Sequence, residues 1–318
     1  MRARWPALLA VVALCGSACS GDPKPAAPAN AGVRICLYTD GNSGTFWTTL
    51  KGGAEQAADD LGVTLDYQEA DHDLEAEGHL AEDGVRSGCD AMGISAPEAA
   101  GLQHAADAVY AAGIPLLAVN SGEAVYVQLH AFTYVGQDDA LAGRQAGSRL
   151  AGAGATRLLC VMQDGEDPTL DQLCAGADDA VGSVVPLRLT RGLADLPASA
   201  AEIEAQLRAD PGIDAVLSVD PDLAVGAVLP ALEAVGSPLP VGALGVSEQA
   251  VRAVAAGTLA FAIDEQPFAE GYLSVVLLNL AATTGAEAGG GRPVLTGPAF
   301  VTKDNADRVL ELETAGTR

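Results

Sequence analysis

A repeating alternation that begins at Val33 constrains this chain more than any other feature. Short apolar runs of strand length are each followed by a polar loop and a stretch with helical period. A parallel sheet covered on both faces by helices produces that pattern. Strands are predicted over 33–38, 63–67, 91–94, 114–119, 133–135, 157–162, 184–189, 215–219, 241–246 and 260–263. Helices are predicted over 45–61, 74–86 and 98–112, the first ending at Gly62 and the last at Gly113, residues suited to a left-handed C-cap. So many strands exceed one small open sheet. The expected fold class is therefore α/β, with two doubly wound parallel-sheet lobes. Ligands of such sheets bind outside the carboxyl ends of the strands, and a cleft between two lobes is the natural place.

The residues ahead of Val33 read as a targeting segment rather than as part of the fold. Arg2 and Arg4 precede an apolar run, Ala7 to Leu14, far shorter than the roughly 20 residues a membrane span needs. Gly16-Ser17-Ala18-Cys19 resembles a bacterial lipoprotein box, with Gly16 where leucine is usual. This gives a signal peptide over 1–18, lipidation at Cys19, and a Pro/Ala-rich tether over 19–32. Ordinary secretory cleavage nearby is the alternative. Leu273 to Ala282 is too short to span a bilayer and reads as a buried helix, so the membrane is expected to be met through the lipid anchor only.

The formal net charge is −25, from 17 basic and 42 acidic residues, a field that repels phosphates and anionic lipid. Nucleic acid is excluded as a partner. Beyond Cys15 and Cys19, four cysteines remain, which suits an oxidising compartment outside the cytoplasm. Cys160 closes an apolar strand and Cys174 lies in the next helix, so a bridge between them is feasible and worth about 3 kcal/mol in the chain-entropy model. Cys36 and Cys89 lie in or beside core strands, with a bridge and two buried thiols both open.

No CxxC, HExxH, GxSxG or GxxxxGK[ST] occurs, and His104 and His130 stand without evident partners. Asp71-His72-Asp73, followed by Glu75, Glu77 and His79, lacks the central glycine of an EF-hand loop and reads as a solvated acidic helix entry. The expectation is a monomeric binding protein without metal, cofactor or enzymatic activity.

Several segments, taken in order, are similar to the periplasmic sugar-binding proteins of ABC importers, of the ribose-binding type. Asn42 to Trp47, Lys51-Gly52-Gly53-Ala54-Glu55 and Leu61-Gly62-Val63 resemble that family's opening N-x-F-W, K-G-A-E and L-G-V elements. Ala112-Gly113-Ile114-Pro115 resembles its A-G-I-P. Tyr134-Val135-Gly136-Gln137-Asp138 with Ala142-Gly143 resembles VG-x-D and AG, and Asp264-Glu265-Gln266-Pro267-Phe268 with Gly271-Tyr272 resembles D-Q-Q-P-Y and G-Y. The resemblance runs from about Val33 to Ala306. It implies a type I periplasmic binding protein, with one lobe of 33–136 plus 266–292 and another of 137–265 plus 293–318. The hinge would lie near Gly136, Glu265 and Gly289-Gly290-Gly291-Arg292. Capture of a monosaccharide or polyol for an ABC permease is implied. A sensory receptor module of the same fold is the alternative.

A sugar presents apolar C–H faces and a rim of hydroxyls, which aromatic rings and carboxylates or amides complement. The first loop supplies Asp40, Asn42, Ser43, Phe46 and Trp47, with one aromatic expected in the core and at least one at the cleft. Ser95, Asn120 and Ser121 follow the third and fourth strands, and Gln137 and Asp138 lie at the first crossover. The second lobe offers Asp220, Ser247 and Glu265. Asp, Asn and Ser at strand ends also serve as helix caps, and the two roles are compatible. The sequence departs from the family pattern at Leu173, where an arginine is usual, at Ala177, where a phenylalanine is usual, and at Ser247, where an aspartate is common. A pocket of this kind favours neutral polyols or cationic polar molecules over anions.

Overall fold

The structure, a computed structural model, describes residues 30, 32–42, 44–163 and 168–318. The signal segment, Cys19, most of the tether and Ser43 lie outside the described residues. The first lobe opens with β1 (Arg34–Thr39), α1 (Thr45–Leu61), β2 (Thr64–Glu69), α2 (Leu74–Ser87), β3 (Ala91–Ile94), α3 (Gln103–Ala111), β4 (Leu116–Val119) and β5 (Tyr134–Gln137). The chain then enters α4 (Asp139–Gly152), β6 (Leu158–Met162), α5 (Pro168–Val181), β7 (Val184–Arg188), α6 (Leu196–Ala209) and β8 (Ala215–Ser218). A short α7 (Pro221–Leu223) runs through a π-helical turn into α8 (Leu229–Val235), followed by β9 (Val241–Leu244), α9 (Glu248–Ala256) and β10 (Phe261–Asp264). The last elements are α10 (Pro267–Thr284), β11 (Val294–Gly297), β12 (Ala299–Val301) and α11 (Ala306–Thr314).

These strands build two six-stranded sheets, ordered β11-β5-β4-β3-β1-β2 and β12-β10-β9-β8-β6-β7. Every pairing is parallel except β12, which runs antiparallel to β10. The central strands are buried on both faces, as the continuous apolar runs require: Ile35, Leu37 and Leu117 pack on one side of the first sheet, and Cys36, Met92 and Ala118 on the other. The second sheet has the same two-sided core, with Leu159 and Val216 on one face and Leu158 and Leu217 on the other. Disulfides join Cys36 to Cys89 and Cys160 to Cys174. Among the described residues no helix is long and apolar enough to cross a membrane.

Three segments pass between the sheets: β5 to α4, β10 to α10, and β11 to β12. The third corrects the expected boundary. The glycine run 289–291 precedes β11, which pairs with β5 and so extends the first sheet. The chain crosses at Gly297-Pro298, a cis peptide bond, and not at 289–292. Strand β11 escaped sequence reading because it is a short edge strand, with Leu295 45% exposed, and lacks the buried apolar run of its neighbours.

Candidate ligand-binding site

The direction of the crossings fixes where a site can form. The chain leaves the first sheet at the carboxyl end of β5 and the second at the carboxyl end of β10. The carboxyl edges of both sheets therefore border the same hinge. Packing there is close. A Cβ added at Gly297 would lie 3.0 Å from Gln137 Oε1, 3.2 Å from the Asp264 carbonyl oxygen and 3.3 Å from the Glu265 Cα.

On the first lobe, Asp40 follows β1 and Ser95 follows β3. The Asp40 backbone N–H donates to Ser95 Oγ at 2.6 Å, and that hydroxyl lies 2.5 Å from Asp40 Oδ1. Ser95 is fully buried, so it supports Asp40 from behind rather than lining an open surface. Asn42 Oδ1 accepts from the Gly44 N–H at 2.8 Å and its amide bonds His72 Nε2 at 2.9 Å. Phe46 and Trp47 meet edge to face, with centroids 5.2 Å apart. Both are half-buried against the core, and the indole covers Gly41, where a Cβ would lie 2.4 Å from Trp47 Cδ2. Neither ring is wholly in the core.

Asn120 sits at the end of β4 in the left-handed region, φ 62°, a conformation asparagine tolerates. Its side chain opposes, in part, the effect of burial on the Glu270 carboxyl. The Ser121 hydroxyl is buried without a partner among the described residues. At the first crossing, Gln137 Nε2 donates to Asp139 Oδ1 at 2.8 Å, while its Oε1 is buried without a partner among the described residues. Asp138 caps α4 by accepting from the Leu141 N–H at 2.7 Å.

Two of the three second-lobe candidates, Asp220 and Ser247, are helix caps. Asp220 Oδ1 accepts from the backbone N–H groups of Asp222 and Leu223, at 2.8 and 2.9 Å. Burial, and then the neighbouring Asp222, push its carboxyl up from the ordinary aspartate value. Ser247 caps α9 through the Ala250 N–H. The two caps are adjacent, since Pro221 packs on Gly245. Glu265 accepts from Thr296 Oγ1 through its carbonyl at 2.8 Å. Leu173 and Ala177 are fully buried in the second-lobe core.

The structure adds residues that sequence reading missed. Glu77 is buried, which corrects its assignment to a solvated helix entry: Leu74, Gly78 and Ala81 share its inward stripe, and an acid on such a stripe is the signal for it. Glu270, a lone acid in the apolar α10, is fully buried beside all three crossings. Glu123, beyond Ser121, is raised by burial and by Asp138 across the first crossing, with Arg144 of α4 opposing. Among the described residues no group of His, Cys, Asp and Glu is arranged to hold a metal ion. His130 bonds Asp107 at 3.1 Å and stacks on Tyr110.

Two parallel sheets joined by three crossings, with polar side chains at the carboxyl edges that border the hinge, have the architecture of a two-lobed solute-binding protein. The sequence matches the model of the periplasmic binding protein domain over residues 35–287. The chain belongs to the periplasmic binding protein family, which works outside the cytoplasm and binds solutes rather than transforming them. It is 34% identical to a carbohydrate transporter protein from Acidothermus cellulolyticus solved in complex with myo-inositol, covering 90% of this chain and 99% of that one, with a TM-score of 0.81. A periplasmic ribose ABC transporter protein from Conexibacter woesei shares the fold at 17% identity, covering 92% and 99%, with a TM-score of 0.77. The arabinose-binding protein AraP from Geobacillus stearothermophilus does so at 19%, covering 87% and 98%, with a TM-score of 0.70. No curated protein gives a significant match.

Proposed function

We propose that this protein captures a neutral polyol, a monosaccharide or a cyclitol, by closure of its two lobes and delivers it to an ABC permease. The observation that carries the reading is the acceptor-rich set at the carboxyl edges, Asp40, Asn120, Gln137, Asp138, Asp220 and Glu265, in a chain 34% identical to a myo-inositol-bound relative. Carboxylates and amides accept from hydroxyls, and the half-exposed Phe46 and Trp47 offer an apolar face for C–H groups. Anionic sugars are disfavoured because the set is rich in acids. Lipidation at Cys19 would tether the protein to the membrane, leaving the lobes free to dock.

Thermal unfolding in the presence of myo-inositol, D-ribose, D-arabinose and D-galactose tests the proposal. At a hundredfold excess over its dissociation constant, a true ligand raises stability by about 2.7 kcal/mol. A panel of neutral sugars and cyclitols that leaves the melting temperature unmoved would refute it. Trp47→Ala is expected to weaken binding without unfolding the protein.

A further inference from the structure

We infer that Glu77 is a positioning residue that acts through Ser95, as the neutral acid, to fix the Asp40 carboxylate at the ligand-facing end of β1. This deepens the proposed function and rests on its reading of Asp40 as a ligand contact.

The geometry sets the protons. Glu77 Oε1 accepts the Ser95 backbone N–H at 2.8 Å. Ser95 Oγ lies 3.3 and 3.4 Å from the two Glu77 oxygens, 2.6 Å from the Asp40 nitrogen and 2.5 Å from Asp40 Oδ1. A serine hydroxyl has one proton and two acceptor positions. The proton belongs to the shortest contact, because hydroxyl-to-carboxylate bonds are the short, charge-assisted ones. One acceptor position takes the Asp40 N–H. The other faces Glu77, which can fill it only by donating. The chain therefore runs from the Glu77 O–H to Ser95 Oγ, and from the Ser95 O–H to the Asp40 carboxylate.

The surroundings agree. Burial first, and the charge of Asp40 second, hold the Glu77 carboxyl well above the usual carboxylate range. Asp40 is the charged group that faces it from the loop after β1, and the end of β3 contributes Ser95. Leu102, just ahead of α3, and Ala105 within it face Gly78, the next residue on α2, and Asp73 is occupied as the N-cap of Glu77's own helix. An ionised Glu77 would compete with Asp40 for one hydroxyl proton and weaken the hold of Ser95 on the Asp40 side chain.

Titration calorimetry of the full chain with myo-inositol, between about pH 5 and about pH 8, compares wild type, Glu77→Gln, Glu77→Ala and Asp40→Asn. Wild-type affinity is expected to fall toward the alkaline end. Glu77→Ala should lose roughly tenfold, the scale of one charge-assisted hydrogen bond. In Glu77→Gln the amide N–H replaces the acid proton on Ser95, so the loss is largely recovered and the profile becomes flat. A Glu77→Ala protein that binds and titrates like wild type, while Asp40→Asn is impaired, overturns the inference. If Asp40→Asn binds like wild type, the reading of Asp40 as a ligand contact fails instead. Carboxyl carbon-13 resonances of the ligand-free protein decide the positioning step independently. The Asp40 signal should follow the Glu77 titration and lose that step in Glu77→Gln; an Asp40 signal indifferent to Glu77 overturns the chain even if myo-inositol does not bind.

Discussion

The backbone of Gly271 in α10 passes so close to Leu50 in α1 that a Cβ on the glycine would lie 1.9 Å from the Leu50 carbonyl oxygen. The contact is reciprocal, since a Cβ on Gly53 of α1 would lie 2.0 Å from the Phe268 carbonyl oxygen. The second lobe repeats the device: Gly143 of α4 meets the Leu173 carbonyl and Gly176 of α5 meets the Ala140 carbonyl, at 2.0 and 2.2 Å on the same measure. In each lobe the helix that arrives from a crossing is thus docked on the helix that follows the lobe's first strand. The first expected outcome follows. Gly271→Ala forces the helices apart and should cost about 1–3 kcal/mol. Gly52→Ala, one residue from Gly53 but with open space around its Cβ, should gain about 0.5–1 kcal/mol from helix propensity. Opposite shifts in melting temperature check the pair.

Those glycines show what could be read in the sequence. Gly53, Gly143 and Gly271 stand in the segments that carried the family resemblance, yet the sequence could not say that their purpose is helix docking. All ten predicted strands are present within a few residues, eight of them as buried parallel strands that write apolar runs and two, β2 and β7, as sheet edges. Strands β11 and β12 left no such run, and the third crossing was misplaced with them. At the site, Asp138, Asp220 and Ser247 were named from their positions after strands, and each is a helix cap. Glu77 stayed hidden because it follows Asp71, Asp73 and Glu75, and only the phase of α2 tells which acid turns inward.

Capping and ligand contact at Asp220 are separable. Asp220→Ala removes the acceptor for two backbone N–H groups and is expected to cost about 1 kcal/mol of stability as well as affinity. Asp220→Ser keeps an N-cap oxygen but loses the charge. It should recover stability and not affinity. Denaturant unfolding and ligand titration on the same two proteins check this, and full affinity in Asp220→Ser would remove Asp220 from the site.

The two disulfides should contribute unequally. Cys36–Cys89 closes a sequence separation of 53 residues and Cys160–Cys174 one of 14. On the chain-entropy account these are worth about 4 and about 3 kcal/mol. All four cysteines are buried, so alanine leaves a similar small defect at each pair. The double variant Cys36→Ala/Cys89→Ala is therefore expected to unfold at lower urea than Cys160→Ala/Cys174→Ala. The reverse order would show that loop closure does not govern their contribution.

Glu270 should make the protein less stable as pH rises through neutrality. Its Oε1 lies 3.2 Å from Thr296 Oγ1, whose one proton goes to the nearer Glu265 carbonyl, while Oε2 is buried without a partner among the described residues. Burial, then Glu265 and more weakly Asp139, hold it well above the ordinary value of 4.5, so it keeps its proton in the folded state. In the unfolded chain it ionises near that ordinary value. Between the two values the folded state binds more protons, and stability falls by about 1.4 kcal/mol per pH unit. The contribution is fully present below the ordinary glutamate range and is lost until the folded group itself ionises. Glu77 acts with the same sign. Glu270→Gln keeps the shape of the neutral acid and carries no charge in either state, so it removes this part of the slope. Its melting temperature should match wild type at about pH 4 and exceed it increasingly toward about pH 7. A difference that stays constant across that range would mean that Glu270 ionises in the folded protein much as it does in the unfolded chain.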